Sequence, residues 1–173
     1  MGPTFTLKAL DLDAAALTAQ LCDTIVRQVR QELKRDGAVV GISGGIDSSV
    51  VLALCAKALG PQKVLGVMLP ERDSSPASKT LATELAAHFG VSAVEENISP
   101  TLEGLGCYRR RDEAVRRVFP EFTDRHKMKI TIAANILEKD SLNYFKLTIE
   151  SPDGAEKSQR MPLSEYLQIV AAS

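Results

Sequence analysis

From Asp13 to Arg35, apolar residues return at Leu17, Leu21, Ile25, Val29 and Leu33, a spacing of four along the chain. That recurrence predicts one amphipathic helix capped by Asp13. After Gly37 the short apolar run Ala38 to Ile42 reads as a strand, and Ser43-Gly44-Gly45 as a tight loop. A helix carrying Val50, Val51, Leu54 and Leu59 follows and stops at Gly60-Pro61. A second strand, Val64 to Leu69, ends at Pro70; a helix from about Ala77 to Phe89 is closed by Gly90; Val91 to Ile98 is a third strand. Short, nearly continuous apolar strands alternating with helices mark a parallel sheet with helices on both faces. The expected fold class is therefore α/β, a doubly wound parallel sheet, with its core in residues 13–100.

Past Ser99 the periodicity changes. Arg109 to Val118 reads as a charged helix, whereas Met128 to Leu137 is apolar enough to be either a buried helix or a strand. Tyr144 to Glu150 alternates polar and apolar residues, Pro152-Asp153-Gly154 supplies turn chemistry, and Lys157 to Leu163 returns as a partner strand. A small hairpin insertion is expected in this less regular segment, 101–163. Leu167, Ile169 and Val170 give the last stretch, Leu163 to Ala172, an apolar helix face. There is no internal repeat and no low-complexity tract.

Composition changes this picture little: 45% of the 173 residues are hydrophobic and 25% charged, the balance of one globular domain spanning 1–173. Charge matters more, because 21 basic residues against 22 acidic ones leave a net charge of -1 and no long-range field for nucleic acid or an anionic membrane. Cys22, Cys55 and Cys107 lie far apart and lack any CxxC spacing, which argues against a disulfide framework or a zinc site and for a reducing, cytoplasmic setting. Met1 to Asp11 holds no basic start followed by an apolar run, and no stretch approaches the roughly 18 apolar residues of a membrane span.

The candidate chemistry lies at Gly41-Ile42-Ser43-Gly44-Gly45-Ile46-Asp47-Ser48, where the first strand meets a helix N-terminus. Two glycines permit positive φ and remove side chains that would keep an anion from the backbone. Their amides are expected to join the unsatisfied donors at the helix start and form a concave nest for a phosphate. Ser43 and Ser48 add hydroxyls. Asp47 is the odd member, since a carboxylate beside a phosphate repels it unless a divalent cation lies between them; charge balance implies Mg2+, with Asp47 as its ligand. The spacing is not that of the GxxxxGK[ST] loop, because no lysine follows the second glycine.

Ser43 to Ser48 resembles the SGGxDS motif of the ATP pyrophosphatase (PP-loop) superfamily, whose members cleave ATP between its α and β phosphates. Val67 to Ser78, after the second strand, is similar to the MPxRxSSxxS loop of ammonia-dependent NAD synthetases. With the leading helix and the Ala58 to Gly60 spacer, this second resemblance covers roughly residues 13–100. It implies an adenine nucleotide α-hydrolase-like, Rossmann-like sheet. It also implies ATP-dependent amidation of deamido-NAD by ammonia, through an acyl adenylate, to give NAD, AMP and pyrophosphate. Gly41 to Ser48 would hold the phosphates, with Asp47 and Ser48 as candidate catalytic residues. Arg72, or Ser74 and Ser75, would sit near the AMP moiety, although Arg72 serves equally well as a solvated loop arginine. The family also implies a homodimer acting on small molecules. Its members continue beyond the equivalent of Ser173, so a piece of a longer enzyme, binding ATP weakly alone, is expected. The alternatives are another PP-loop adenylating ligase, such as a GMP or argininosuccinate synthetase or a tRNA-modifying enzyme, and a non-catalytic nucleotide-binding module.

Other residues carry bland expectations. Arg109, Arg110, Arg111, Arg116 and Arg117 are interrupted by Asp112 and Glu113 and read as a solvated helix face. His88 and His126 share no motif with a cysteine or acid and are expected to be structural, and Cys55 to be buried.

Overall fold

The computed structural model describes residues 11–132 and 144–171; residues 1–10, 133–143 and 172–173 lie outside it. The chain divides into two compact units, Met1–Ser99 and Pro100–Ser173, where the sequence leads one to expect a single domain. Each has its own buried apolar cluster.

The first unit opens with α1, Ala14–Val26, where the Asp13 carboxylate accepts hydrogen bonds from the amides of Ala15 and Ala16 at 3.0 Å each. The coil then widens into a π-helical turn over Arg27–Glu32. This departs from the single helix expected to Arg35, and the reason is geometric. Residues four apart drift about 40° per step around an α-helix, so a strict spacing of four cannot hold one face. The wide turn brings Val29 into line with Ile25 and Val26 against the core, while Leu33 is left 64% exposed.

Three parallel strands follow: β1 (Ala38–Gly41), β2 (Val64–Met68) and β3 (Ser92–Glu95), in that spatial order. α2 (Ile46–Leu59) links β1 to β2, and α3 (Pro76–His88), capped by Ser75, links β2 to β3. Both crossovers step in the same direction, and such connections are right-handed, so both helices land on one face. On that face Val40, Ile42 and Val64 pack against Leu52, Cys55, Ala56, Leu59, Ala82 and Ala86. The α/β, Rossmann-like expectation is met by this parallel sheet, and α2 and α3, its two crossover helices, both lie on one face. In-register partners share a face, and on the other face Val39 is 70% and Val94 48% exposed beside half-buried Leu65 and Val67.

The second unit is larger than the expected hairpin. α4 (Ser99–Gly104), which the pattern does not announce, and α5 (Cys107–Val118) lead into an antiparallel sheet of β4 (Lys127–Ile132), β5 (Phe145–Glu150) and β6 (Glu156–Met161), closed by α6 (Leu163–Val170). The open alternative at Met128 resolves as a strand to Ile132; positions 133–137, like Ala172, lie outside the described residues. Ser151 to Ala155 form the turn, with Gly154 at φ 84°. Leu147, Ile149 and Met161 line the inner face with Phe119, Val115 and Ile169, and the Phe145 and Tyr166 rings stack at 3.7 Å. Among the described residues no helix is long and apolar enough to cross a membrane.

The two cores make separate demands. Leu52→Ala in the first and Leu147→Ala in the second, both fully buried, are each expected to cost about 2–5 kcal/mol in urea unfolding. A loss below about 1 kcal/mol would mean that the cluster concerned is not close-packed.

Candidate functional site

The loop between β1 and α2 is positioned by three constraints. Ile42 continues the β1 ladder with an amide bond to the Val67 carbonyl at 2.9 Å, and its side chain is buried in the core. The chain then reverses at Gly44, whose φ is 76°. A Cβ there would lie 2.6 Å from the Ser78 carbonyl oxygen and 3.0 Å from Leu81 Cβ, so both conformation and space require glycine. Gly45 differs from the expectation of paired positive angles: it is the extended N-cap of α2 at φ -84°. What it contributes is an absent side chain at a cap, where a Cβ would come 3.3 Å from Ser43 Oγ.

The hydroxyls stitch the loop. Ser48 Oγ donates to the Gly45 carbonyl at 3.0 Å and accepts from the Ser43 amide at 3.2 Å; Ser43 Oγ accepts from the Gly45 amide at 3.3 Å and lies 3.2 Å from Ser48 Oγ. Ser49 Oγ also donates to the Gly45 carbonyl, at 2.8 Å. No side chain caps α2, and its first backbone bond runs from the Ser49 amide to Gly45 at 3.2 Å. The amides of Ile46, Asp47 and Ser48 therefore precede the helical ladder as a cluster of donors at the positive end of the helix dipole. Ile46, 79% exposed, leaves that end open to solvent, and Asp47 stands exposed in the same turn.

Beside the loop, at the carboxyl ends of β1 and β2, a cavity of about 310 Å³ is lined by Gly41, Ile42 and Ser43, by Val67 to Pro70, and by Ser74, Ser75, Ser78, Lys79 and Ala82. This is where open α/β sheets bind ligands. The structure thus brings Ser74 and Ser75 to the loop. Arg72 is not among the lining residues; its Nε lies 3.4 Å from Asp73 Oδ1. Lys79, which the sequence did not single out, does line the cavity and pairs with Glu95 at 2.7 Å. Its signal was its place one turn into the helix that faces Gly44. Among the described residues no group of three histidines, cysteines or acids is arranged to hold a metal ion.

The remaining candidates fall to structural roles. Arg109 pairs with Glu113, Arg111 with Asp112 and Arg117 with Glu165, while Arg110 and Arg116 donate to the carbonyls of Leu105 and Phe122. His126 Nδ1 accepts from the Thr123 amide, and His88 meets Phe89 edge to face. Burial first, then the nearby Cys22, pushes the Cys55 thiol above its ordinary range, so it stays protonated and inert.

Residues 17–151 match the family model described as NAD synthase. The chain is 46% identical over 164 residues to an NH(3)-dependent NAD(+) synthetase of Mesorhizobium japonicum, covering 95% of this chain and 51% of that protein. It is 43% identical to the namesake enzyme of Rhizobium meliloti, covering 98% of this chain and 50% of that one. It thus spans about half the length of these curated relatives. Among solved structures it is similar to the NH3-dependent NAD synthetase of Campylobacter jejuni, with a TM-score of 0.50 and 28% identity over 62% of this chain and 50% of that one. An NMN synthetase of Francisella tularensis, 20% identical with a TM-score of 0.51 over 64% of this chain and 50% of that one, shares the fold.

The contrast between two glycines tests the loop geometry. Gly44→Ala is expected to lower the melting temperature by several degrees, from a strained φ and a backbone clash, each of order 1 kcal/mol or more. Gly41→Ala, where a Cβ meets nothing within 4 Å, should change it far less. Equal shifts would remove the steric argument.

Proposed function

Because this chain belongs to the NAD synthase family, we propose that it supplies the ATP-binding half of an ammonia-dependent NAD synthetase. The observation that carries this reading is the SGGxDS loop itself: unladdered amides at the start of α2, held open by Gly44, beside a cavity at the strand ends. In this reading the two units serve one ATP-binding domain within a polypeptide of the relatives' length, acting in the cytosol as a homodimer.

The chemistry sets the task. A free carboxylate resists attack by ammonia because an oxide-like oxygen would have to leave. In the first step a carboxylate oxygen of deamido-NAD bonds to the α-phosphorus of ATP, and the bond to the β-phosphate oxygen breaks, releasing pyrophosphate. In the second, ammonia bonds to the acyl carbon and AMP leaves, giving the amide. Neither step needs a strongly basic protein group at the phosphorus, so the enzyme acts mainly by positioning and by stabilising charge on the departing pyrophosphate. The amides of Ile46, Asp47 and Ser48 suit that role. Ser43 and Ser48 present hydroxyls beside them, Gly41, Ile42, Gly44 and Gly45 set the backbone, and Ser74, Ser75 and Arg72 belong to the segment that meets the AMP moiety.

Magnesium fits the donor set as an ion shared with the substrate. A hard cation of this kind takes one or two carboxylates and fills its remaining positions with phosphate oxygens and water, and Asp47 offers one exposed carboxylate beside the phosphate loop. Bound there, it would neutralise charge between Asp47 and the phosphates.

Product analysis is the direct test. A polypeptide of the relatives' length carrying this segment, given ATP, magnesium, deamido-NAD and ammonium, should form AMP, pyrophosphate and NAD in equal amounts. Absence of NAD in a folded, ATP-binding preparation would remove the substrate assignment. Asp47→Asn should lower turnover by a factor on the order of one hundred or more while circular dichroism stays unchanged. Turnover equal to the parent would deny Asp47 its metal role.

A further inference from the structure

The antiparallel sheet of the second unit has a polar outer face whose charges are arranged in rungs. Register places Lys127, Glu150 and Glu156 on one rung, Lys129, Thr148 and Ser158 on the next, and Thr131, Lys146 and Arg160 on the third. The 2.8 Å bond between Thr148 and Ser158 hydroxyls confirms that these side chains share a face. Like charges directly opposite one another destabilise a sheet. The first rung opposes two carboxylates and resolves the conflict within the protein: Lys127 reaches Glu150 at 3.3 Å, and Lys129 reaches Glu156 at 2.9 Å. The third rung opposes two cations, and among the described residues no carboxylate lies within ion-pair distance of Lys146 or Arg160. Glu156, which feels the Lys146 charge weakly, is already bonded to Lys129, and that lysine holds its carboxyl below the usual range.

The surroundings of this rung are those of an anion site. Tyr144 lies on the same face, and the Arg160 guanidinium sits over its ring, 5.3 Å from the centroid, which fixes the cation at the cost of no hydrogen-bond donor. Tyr144, Lys146, Ser158, Gln159 and Arg160 line an open depression of about 420 Å³, the scale of a small phosphorylated molecule. Arginine beside lysine, with a hydroxyl at hand, is the donor set that takes a phosphate. A net charge of -1 provides no field to gather a nucleic acid here. We propose that the Lys146–Arg160 rung, with Tyr144, binds the phosphate group of a small nucleotide, at a site distinct from the phosphate loop. The site lies wholly within the second unit and does not depend on the synthetase reading.

Backbone amide NMR of the whole chain, titrated with AMP and with inorganic phosphate at low salt, reads each site separately. AMP in the millimolar range should shift the amides of Lys146, Ser158 and Arg160, and phosphate should shift the same set more weakly. The double variant K146Q/R160Q should weaken AMP binding at these amides by at least about tenfold while leaving shifts at Gly44 to Ser48 as in the parent. Lys146→Glu gives an independent readout: it turns the opposed cations into an ion pair, so the ligand-free protein should melt a few degrees higher while AMP binding at the rung is lost. Unmoved amides at Lys146, Ser158 and Arg160, or unchanged affinity in K146Q/R160Q, would overturn the proposal. A Lys146→Glu protein melting no higher than the parent would deny that the rung holds unrelieved repulsion, and so would overturn it too. In a parallel titration with ATP and magnesium, silence at Gly44 to Ser48 with shifts at the rung would instead sink the ATP reading and leave this one standing.

Discussion

The close approach of α3 to the loop after β1 is the contact on which the first unit's organisation depends. With 2.6 Å between the Ser78 carbonyl and the place where a Gly44 side chain would begin, the helix can sit there only if that position is bare. The chain passes through a positive φ at the same residue, and the next residues run directly into α2 with no side chain capping its first amides. A packing constraint and a binding geometry are thus one feature. Pulling α3 back to admit a side chain would open the floor of the cavity, since Ser75, Ser78, Lys79 and Ala82 all come from that helix and its cap.

Hydroxyl groups complete the arrangement. Backbone donors in a glycine loop must find partners in the absence of a ligand, and here Ser48 and Ser43 accept from the amides of Ser43 and Gly45 while no side chain caps the amides at the start of α2. The division matters for affinity. A loop whose conformation is already held by its own hydroxyls loses less entropy when an anion arrives than a loop that must be ordered by it.

The legible part of the sequence was the part where local pattern and tertiary role coincide. Strands β1 and β2 are apolar because one face is core, the Gly-Gly step sits at a strand end, and Gly90 closes the helix that follows Pro70; each is a short-range signal with one physical cause. The single positive φ at Gly44 was not separable from Gly45, because glycine identity says that a side chain is absent and not why. Ser74, Ser75 and Lys79 reach the cavity because of how α3 packs, while Arg72, on the same segment, points its guanidinium toward Asp73. The second unit was harder. Lys127 to Ile132 alternates with lysines whose partners lie on other strands, at Glu150 and Glu156, so its pattern makes sense only once the sheet is assembled.

The arrangement of helices on the parallel sheet bears on how strongly such a loop can grip. β1 is an edge strand among the described strands of this sheet, and on the face bearing Val39 and Val94 both side chains are largely exposed. Parallel sheets occur almost only with both faces covered. Two unit charges at 4 Å interact by about 1 kcal/mol in bulk water and by about 4 kcal/mol at the lower dielectric near a protein surface. With Ile46 and Asp47 facing solvent, the amides and carboxylate here work near the weak limit. Excluding water from the loop would strengthen that grip, and the proposed chemistry is assigned to a polypeptide of the relatives' length.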